Sequence, residues 1–375
     1  MRLTIDKEQL LKAVNTATKA IASKSADPLL SNLKLDLNDR GLEITGTNKE
    51  ITIRCLVPYR IGDREIIRAG GLGATLINAK LFSELIRRLD GDELSIDVID
   101  DSIAKINNGQ SSDWELTCVR AADAFTDVDL EPDGTILTLP CDAFTSLVDQ
   151  SAFAASNKEQ RPILTAINLV AADGTLTAIA TDSARLARKT IAIDGDVSFA
   201  CNVPARTLVD VCHLFEGAQR VTMAVSEWSI LFLFDNTVVC SRLISGDYPA
   251  TKTVFPDTFN YYLEVNAQEL LSAMSRASLL SAEHDYVVKL SMSETDVRVS
   301  SRSELSGSAS ESIQTFQYTG ERLDVSFNSL YVIDAIKALK CEDVRLCFRA
   351  EMRPFVVQNP NDETVTQLIT PMRTY

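Results

Sequence analysis

The stretch PARTLVDVCHLFEGAQRVTM, residues 204–223, decides the fold. A helix-like run is followed by an acidic residue, a glycine and a strand-like run. The same construction appears in NAKLFSELIRRLDGDELSI at 78–96 and in NSLYVIDAIKALKCEDVRL at 328–346. The apolar positions are Phe82, Leu85, Ile86 and Leu89, then Leu208, Val211, Cys212 and Phe215, then Val332, Ala335, Ile336 and Leu339. Each set follows i, i+3, i+4, i+7, one face of an amphipathic helix. The offsets 208 − 82 = 126 and 332 − 208 = 124 bracket 375/3 = 125, so the chain reads as three copies of one unit.

A second helix per copy agrees. Leu10, Ala13, Val14 and Ala17 match Phe144, Leu147, Val148 and Ser151, and then Leu270, Ala273, Met274 and Ala277. Between the helices lie alternating strands, with Leu33, Leu35 and Leu37, with Ile51 and Ile53, and with Val344, Leu346 and Phe348 on the apolar side. The expected fold class is α+β, two helices covering one face of antiparallel sheets in each copy. The turn-rich, acidic TDVDLEPDG (126–134) and GDYPATKTVFPD (246–257) are the expected joints, giving domains 1–127, 128–254 and 255–375.

Bulk properties narrow the function. No apolar run approaches the ~20 residues that span a bilayer, and MRLTIDKEQLLKAV lacks a cleavage-site pattern, so a cytoplasmic protein is expected. The eight cysteines show no CxxC spacing and read as reduced core thiols, and with only His213 and His284 a metal site is not expected. A net charge of −15 argues against strong attraction to nucleic acid over the whole surface, though not against one basic face. The polar sides of the repeated helices carry such residues: Lys80 and Arg87, Arg206 and His213, Lys337, with Lys12 and Lys19 on the first helix. Glu84, Asp210 and Asp334 recur beside them. A mixed face of this kind suits contact with phosphates and offers nothing to read base edges.

In these features the chain resembles the bacterial DNA polymerase III beta subunit, the beta sliding clamp family, over essentially its whole length. TIDKEQLLKAV, LSNLKLDL, LEITGTN, AIATDSARLA, FPDTF, LKCEDVRL and the near-terminal PMR carry the resemblance through their order and spacing. It implies a head-to-tail homodimer, a ring of six similar domains that encircles double-stranded DNA without sequence preference. Such a ring tethers the replicative DNA polymerase catalytic subunit, and docks the clamp loader and other proteins bearing clamp-binding motifs. The implied peptide groove takes in Leu164, Thr181, Arg185, Leu186, Pro249, Val254, Asn328, Tyr331, Met352, Pro354, Leu368, Ile369, Pro371, Met372 and Arg373. Implied DNA contacts are Lys24, Lys80, Lys158, Arg161, Arg206 and Lys337. The implied ring seam holds Trp114 and Leu116 on an edge strand, with Leu279 and Leu280 after a helix. Departures from the family pattern stand at Ser183-Ala184, Thr253, Asp285 and Pro162-Ile163, and the tail runs on through Thr374-Tyr375.

No cofactor, metal or catalytic set is expected. GGLGAT (70–75) lacks the GK[ST] of a phosphate loop, and Asp100-Asp101 reads as a turn, because adjacent strand residues point to opposite faces. The rival to a ring is a peptide-binding regulator that keeps the fold and does not encircle DNA.

Overall fold

Among the described residues six α-helices form where the periodic runs stand: α1 Lys7–Thr18, α2 Ala79–Arg88, α3 Cys141–Asp149, α4 Ala205–Cys212, α5 Ala267–Ser278 and α6 Ser329–Leu339. The computed structural model describes residues 1–21, 27–110, 112–119, 125, 128–251, 253–281, 286–303 and 305–373. Lys24, Asp285, Thr374 and Tyr375 lie outside the described residues. Asp6, Asn78, Asn266 and Asn328 cap helix starts, each accepting a backbone N–H two or three residues on. One further bond recurs in all three copies. Lys7 N donates to Asp92 O at 2.8 Å, Cys141 N to Gln219 O at 3.0 Å, and Ala267 N to Glu342 O at 2.8 Å.

The apolar helix positions are buried as the spacing requires, apart from the half-buried Cys212. Three helices are shorter than their patterns. α2 stops at Arg88, before Leu89, and α3 at Asp149, before Ser151. α4 stops at Cys212, and Phe215 lies beyond it, edge-on to Phe234 with centroids 4.9 Å apart. The Asp100-Asp101 turn is present. Both residues are left-handed (φ 50° and 52°) between the strands Glu93–Ile99 and Ile103–Asn107.

Two compact units share the chain: Met1–Cys141 with His213–Leu243, and Asp142–Cys212 with Ile244–Tyr375. The middle copy therefore contributes to both. The reason lies in the sheets. In the first unit, strand Thr237–Arg242 pairs antiparallel with Ile51–Pro58, placing Ser241 opposite Ile51. In the second, Asp362–Ile369 pairs with Arg185–Ala192, placing Ile369 opposite Arg185. Both joins bring the last strand of one copy to the edge of the copy before. They begin with the same bond, Arg242 N to Glu50 O and Thr370 N to Ala184 O, each 2.9 Å. Hydrogen-bonded ladders thus run across the places where the sequence suggests joints.

The connecting segments are packed against these ladders. Val128 and Leu130 cover Ala224, Leu231 and Cys240 in the first unit. In the second, Phe255 and Phe259 cover Leu186, Cys347, Val356 and Leu368, with the Arg188 guanidinium 4.2 Å from the Phe255 ring centre.

Small residues set how closely helix meets sheet. A Cβ on Gly46 would lie 2.3 Å from Ala17 O. The corresponding place in the third copy is Ser301, whose hydroxyl donates to Ala277 O at 2.6 Å. Because the blocking atom is backbone, Gly46→Ala is expected to destabilise the first unit by about 1–3 kcal/mol, an overpacking cost measurable by denaturant unfolding.

Candidate peptide groove and partner-facing surfaces

The turn TDSAR carries one wall of a cavity of about 210 Å3 in the second unit. Strand Thr175–Thr181 ends there and strand Arg185–Ala192 begins. The turn is held by its own side chains. Asp182 Oδ1 accepts from Ala184 N and Arg185 N at 2.9 and 3.0 Å, and Thr181 Oγ1 accepts from Ser183 N at 3.1 Å and donates to Arg185 O at 2.6 Å. Ser183 adopts φ 81°. Behind it, the Tyr248 hydroxyl accepts from Thr181 N at 3.1 Å and donates to Ala166 O at 3.4 Å. Burial pushes that phenol up to about 12, so it remains a neutral donor.

Arg185 is locked. Its Nε meets Asp182 Oδ2 at 3.0 Å and its Nη1 meets Asp334 Oδ2 at 2.7 Å. The guanidinium lies 4.7 Å from the Tyr331 ring centre and 5.5 Å from that of Phe153, and the side chain is 12% exposed. Two carboxylates and two rings fix the cation, so its stem forms part of the cavity wall as a rigid surface.

Eight of the expected groove residues line the cavity: Leu164, Thr181, Arg185, Leu186, Pro249, Val254, Pro354 and Leu368. Ile369 is buried beside Leu368, one step along the strand. Asn328 caps α6 and Tyr331 stacks on Arg185, while Met352 is exposed and does not line the cavity. The tail is pinned next to it. Met372 N donates to Ser326 O at 2.7 Å, Pro371 is buried and Arg373 is exposed. The lining also includes Arg161, Ser183, Ala184, Ala250, Thr251 and Thr370. Their polarity or small size gives no sequence signal for a groove, and Asp334 lies 149 residues from the arginine it holds.

Among the strand edges left open in the described residues, two are the equivalents of those joined above. Gly307–Ile313 is the terminal strand of a four-stranded sheet in the second unit. In the first unit, Asp113–Val119 pairs with Ile103–Asn107 on one side, and on the other meets strand Gly73–Asn78 through Cys118 and Val119 alone. Trp114 on that edge is 48% exposed, and Leu279, after α5, is 75% exposed. Leu280 is half-buried. Leu116 differs from its neighbour by facing the core of its own unit, where it is buried.

The chain matches the DNA polymerase III beta subunit N-terminal domain over residues 1–126, the central domain over 138–250 and the C-terminal domain over 252–373. It is 34% identical to the beta sliding clamp of Bacillus subtilis, with 100% of both chains covered. The chain belongs to the beta sliding clamp family. The crystal structure of the DNA polymerase sliding clamp from B. subtilis superposes with a TM-score of 0.96 at 33% identity, and that of the Streptococcus pneumoniae DNA polymerase III beta chain with 0.95 at 32%, each covering 100% of both chains. Its family is that of a non-catalytic processivity factor of DNA polymerase, and its fold is three clamp domains of helices and antiparallel sheets.

The basic positions of the clamp helices are exposed. Lys80 on α2 and Lys337 on α6 have no carboxylate at ion-pair distance among the described residues, and Arg206 is 94% exposed beside Asp210 at 3.9 Å. Arg87 and Arg88 both bind Glu84. Asp334 departs from the expected mixed face, because it turns to Arg185. Lys158 is exposed, and Arg161 stands at the cavity rim. The eight cysteines form no disulfide with one another, and burial pushes Cys55, Cys201 and Cys347 up to about 12. No helix among the described residues is long and apolar enough to cross a membrane.

Proposed function

We propose that two copies of this chain close head to tail into a ring around duplex DNA, and that the cavity beside TDSAR receives extended peptides of the polymerase, clamp loader and other clamp-binding proteins. The copies run over 1–127, 128–254 and 255–375, and the ring works in the cytoplasm. Lys24, Lys80, Lys158, Arg161, Arg206 and Lys337 supply mild, sequence-independent contact with phosphates, and encirclement supplies retention.

The observation that carries this reading is the repeated seam. Copy two joins copy one, and copy three joins copy two, by the same strand addition. Among the described residues the third equivalent pair of edges, Asp113–Val119 and Gly307–Ile313, is not joined within the chain, and pairing them between chains completes the cycle. The register follows from the repeat. Gly46 and Ser301 occupy one place, and their ladders put Thr52 opposite Thr47 and Ser308 opposite Arg302, so Gly307 stands where Ile51 and Arg185 do. Leu116 opposite Ala104 takes the place of Ser241 opposite Ile230, Ala104 and Ile230 being the first buried residues after their hairpins. Hence Leu116 meets the partner's Gly307, and Trp114 meets the partner's Ala309.

The bond from Arg242 N to Glu50 O makes residues 239 and 241 non-hydrogen-bonded positions of their seam, and Trp114 matches 239. Such pairs have Cα atoms about 4.5 Å apart, within reach of a disulfide. Trp114→Cys with Ala309→Cys is therefore expected to give a covalent dimer on oxidation, read on a non-reducing gel. Trp114→Cys with Ser308→Cys, whose side chains point to opposite faces, is expected to stay monomeric on that gel. The reverse pattern would refute the register. The cross-linked ring should stay on closed circular DNA and leave once the DNA is cut. A chain that binds polymerase peptides but is never retained on circles would be the non-encircling regulator instead.

A further inference from the structure

The two seams inside the chain are ladders of equal length that differ in what crosses them. Thr237–Arg242 meets Ile51–Pro58 over five residue pairs, and Asp362–Ile369 meets Arg185–Ala192 over five. The second seam is held by side chains as well. Lys189 Nζ, on a side chain 8% exposed, meets Asp362 Oδ2 at 3.0 Å and Thr364 Oγ1 at 2.7 Å. Arg185 reaches Asp334, Lys340 Nζ reaches Asp149 Oδ2 at 2.8 Å, and Gln367 Nε2 donates to Gln150 O at 2.9 Å. Each of these contacts joins copy two to copy three.

The repeat shows what stands in those places at the first seam. Ile51 answers to Arg185, so Cys55 answers to Lys189. Leu10 matches Phe144, so Asn15 and Thr16 answer to Asp149 and Gln150. Leu208 matches Val332, so Glu216 answers to Lys340. Ser241 matches Ile369, so Val239 answers to Gln367. No cation–carboxylate pair can form from such residues, and Cys55 Sγ only accepts a weak bond from Thr237 Oγ1 at 3.8 Å. Close apolar packing holds a seam as well as buried ion pairs do. Here a cavity of about 200 Å3 lies instead, lined by Lys12, Thr16, Cys55, Val57, Glu216 and Thr237 among others. We propose that the first seam is the compliant joint of this chain and the second its rigid one, so that Thr237–Arg242 parts from Ile51–Pro58 far more often than Asp362–Ile369 parts from Arg185–Ala192. Parting the second seam leaves Lys189 and Asp362 without each other in a largely buried place, whereas parting the first exposes surface that already borders a cavity. The inference concerns joints within one chain and stands whether or not two chains close into a ring. In such a ring, bending falls on the first seam of each chain.

Hydrogen exchange on the intact protein tests this. The bonds from Arg242 N to Glu50 O and from Thr370 N to Ala184 O set the alternation along each ladder. The N–H groups of Val238 and Cys240 therefore cross the first seam, and those of Thr366 and Leu368 cross the second. After correction for intrinsic rates, Val238 and Cys240 are expected to exchange about 10-fold or more faster than Thr366 and Leu368, well within what one buried ion pair supplies. Lys189→Met keeps the apolar stem and removes the ammonium. It should speed exchange at Thr366 and Leu368 about 10-fold and leave Val238 and Cys240 as they were. Equal rates at the two seams, or faster exchange at the second, would overturn the proposal. So would a folded Lys189→Met chain, checked by melting temperature, whose second-seam amides exchange as before. Should that variant fail to fold, the comparison of the two seams in the unmodified protein decides alone.

Discussion

Ser310→Pro is expected to leave a folded chain that no longer dimerises. Ser310 lies on the open edge strand Gly307–Ile313 and is exposed. In the matching strand of the first copy, Glu50 turns its carbonyl toward the neighbouring copy, and every second residue of an antiparallel ladder faces the same way. Ser308 and Ser310 correspond to Thr52 and Arg54, so their N–H groups point to the open side and away from strand Val297–Ser303. A proline at 310 removes a bond the isolated chain does not make and blocks the strand that would add there. Sedimentation should show a monomer at micromolar concentrations where the unmodified protein is expected to be a dimer, with the melting temperature of an isolated chain unchanged. Loss of retention on circular DNA should accompany it. A Ser310→Pro protein that remains a dimer would place the seam elsewhere.

Arg185→Ala is expected to have the second large effect. The side chain is 12% exposed and is gripped by Asp182, Asp334, Tyr331 and Phe153. Its removal deprives Asp182 of a partner in a largely buried place and strips one face of Tyr331. The expected cost is about 3 kcal/mol in the stability of the second unit, at the lower end for breaking a buried ion pair. Peptide affinity should fall about 10-fold or more, since the wall it forms is lost along with the rigidity it gives. Arg185→Lys should recover only part of either quantity, because an ammonium cannot meet both carboxylates in plane and stack as well. Denaturant unfolding and peptide titration on the same preparations separate the two effects.

Much of the fold was legible in the sequence because its signals are local. A 3.6-residue period buries one helix face wherever the helix lies, and the three matching sets of apolar positions are buried apart from Cys212. Capping by Asp6, Asn78, Asn266 and Asn328 acts within three residues, so it too is written in the chain. The threefold repeat and the resemblance built on it identified the family, since order and spacing survive drift in single residues. Leu164, Thr181 and Leu186, expected together through the resemblance, line one cavity, though the apolar character of the two leucines does not itself separate a wall from a core.

Tertiary structure alone decided the rest. That Ser241 pairs with Ile51 and Ile369 with Arg185 depends on contacts nearly two hundred residues apart, and strand patterns say which face is buried without saying which edge is taken. The helix wheel placed Asp334 on a mixed outer face, and the fold turned it to Arg185. The sequence likewise shows Arg161 as one more basic residue. Only the fold brings its guanidinium to the Ser183 hydroxyl, with no carboxylate at ion-pair distance among the described residues, because neutralisation depends on what lies within a few ångströms in space and not along the chain.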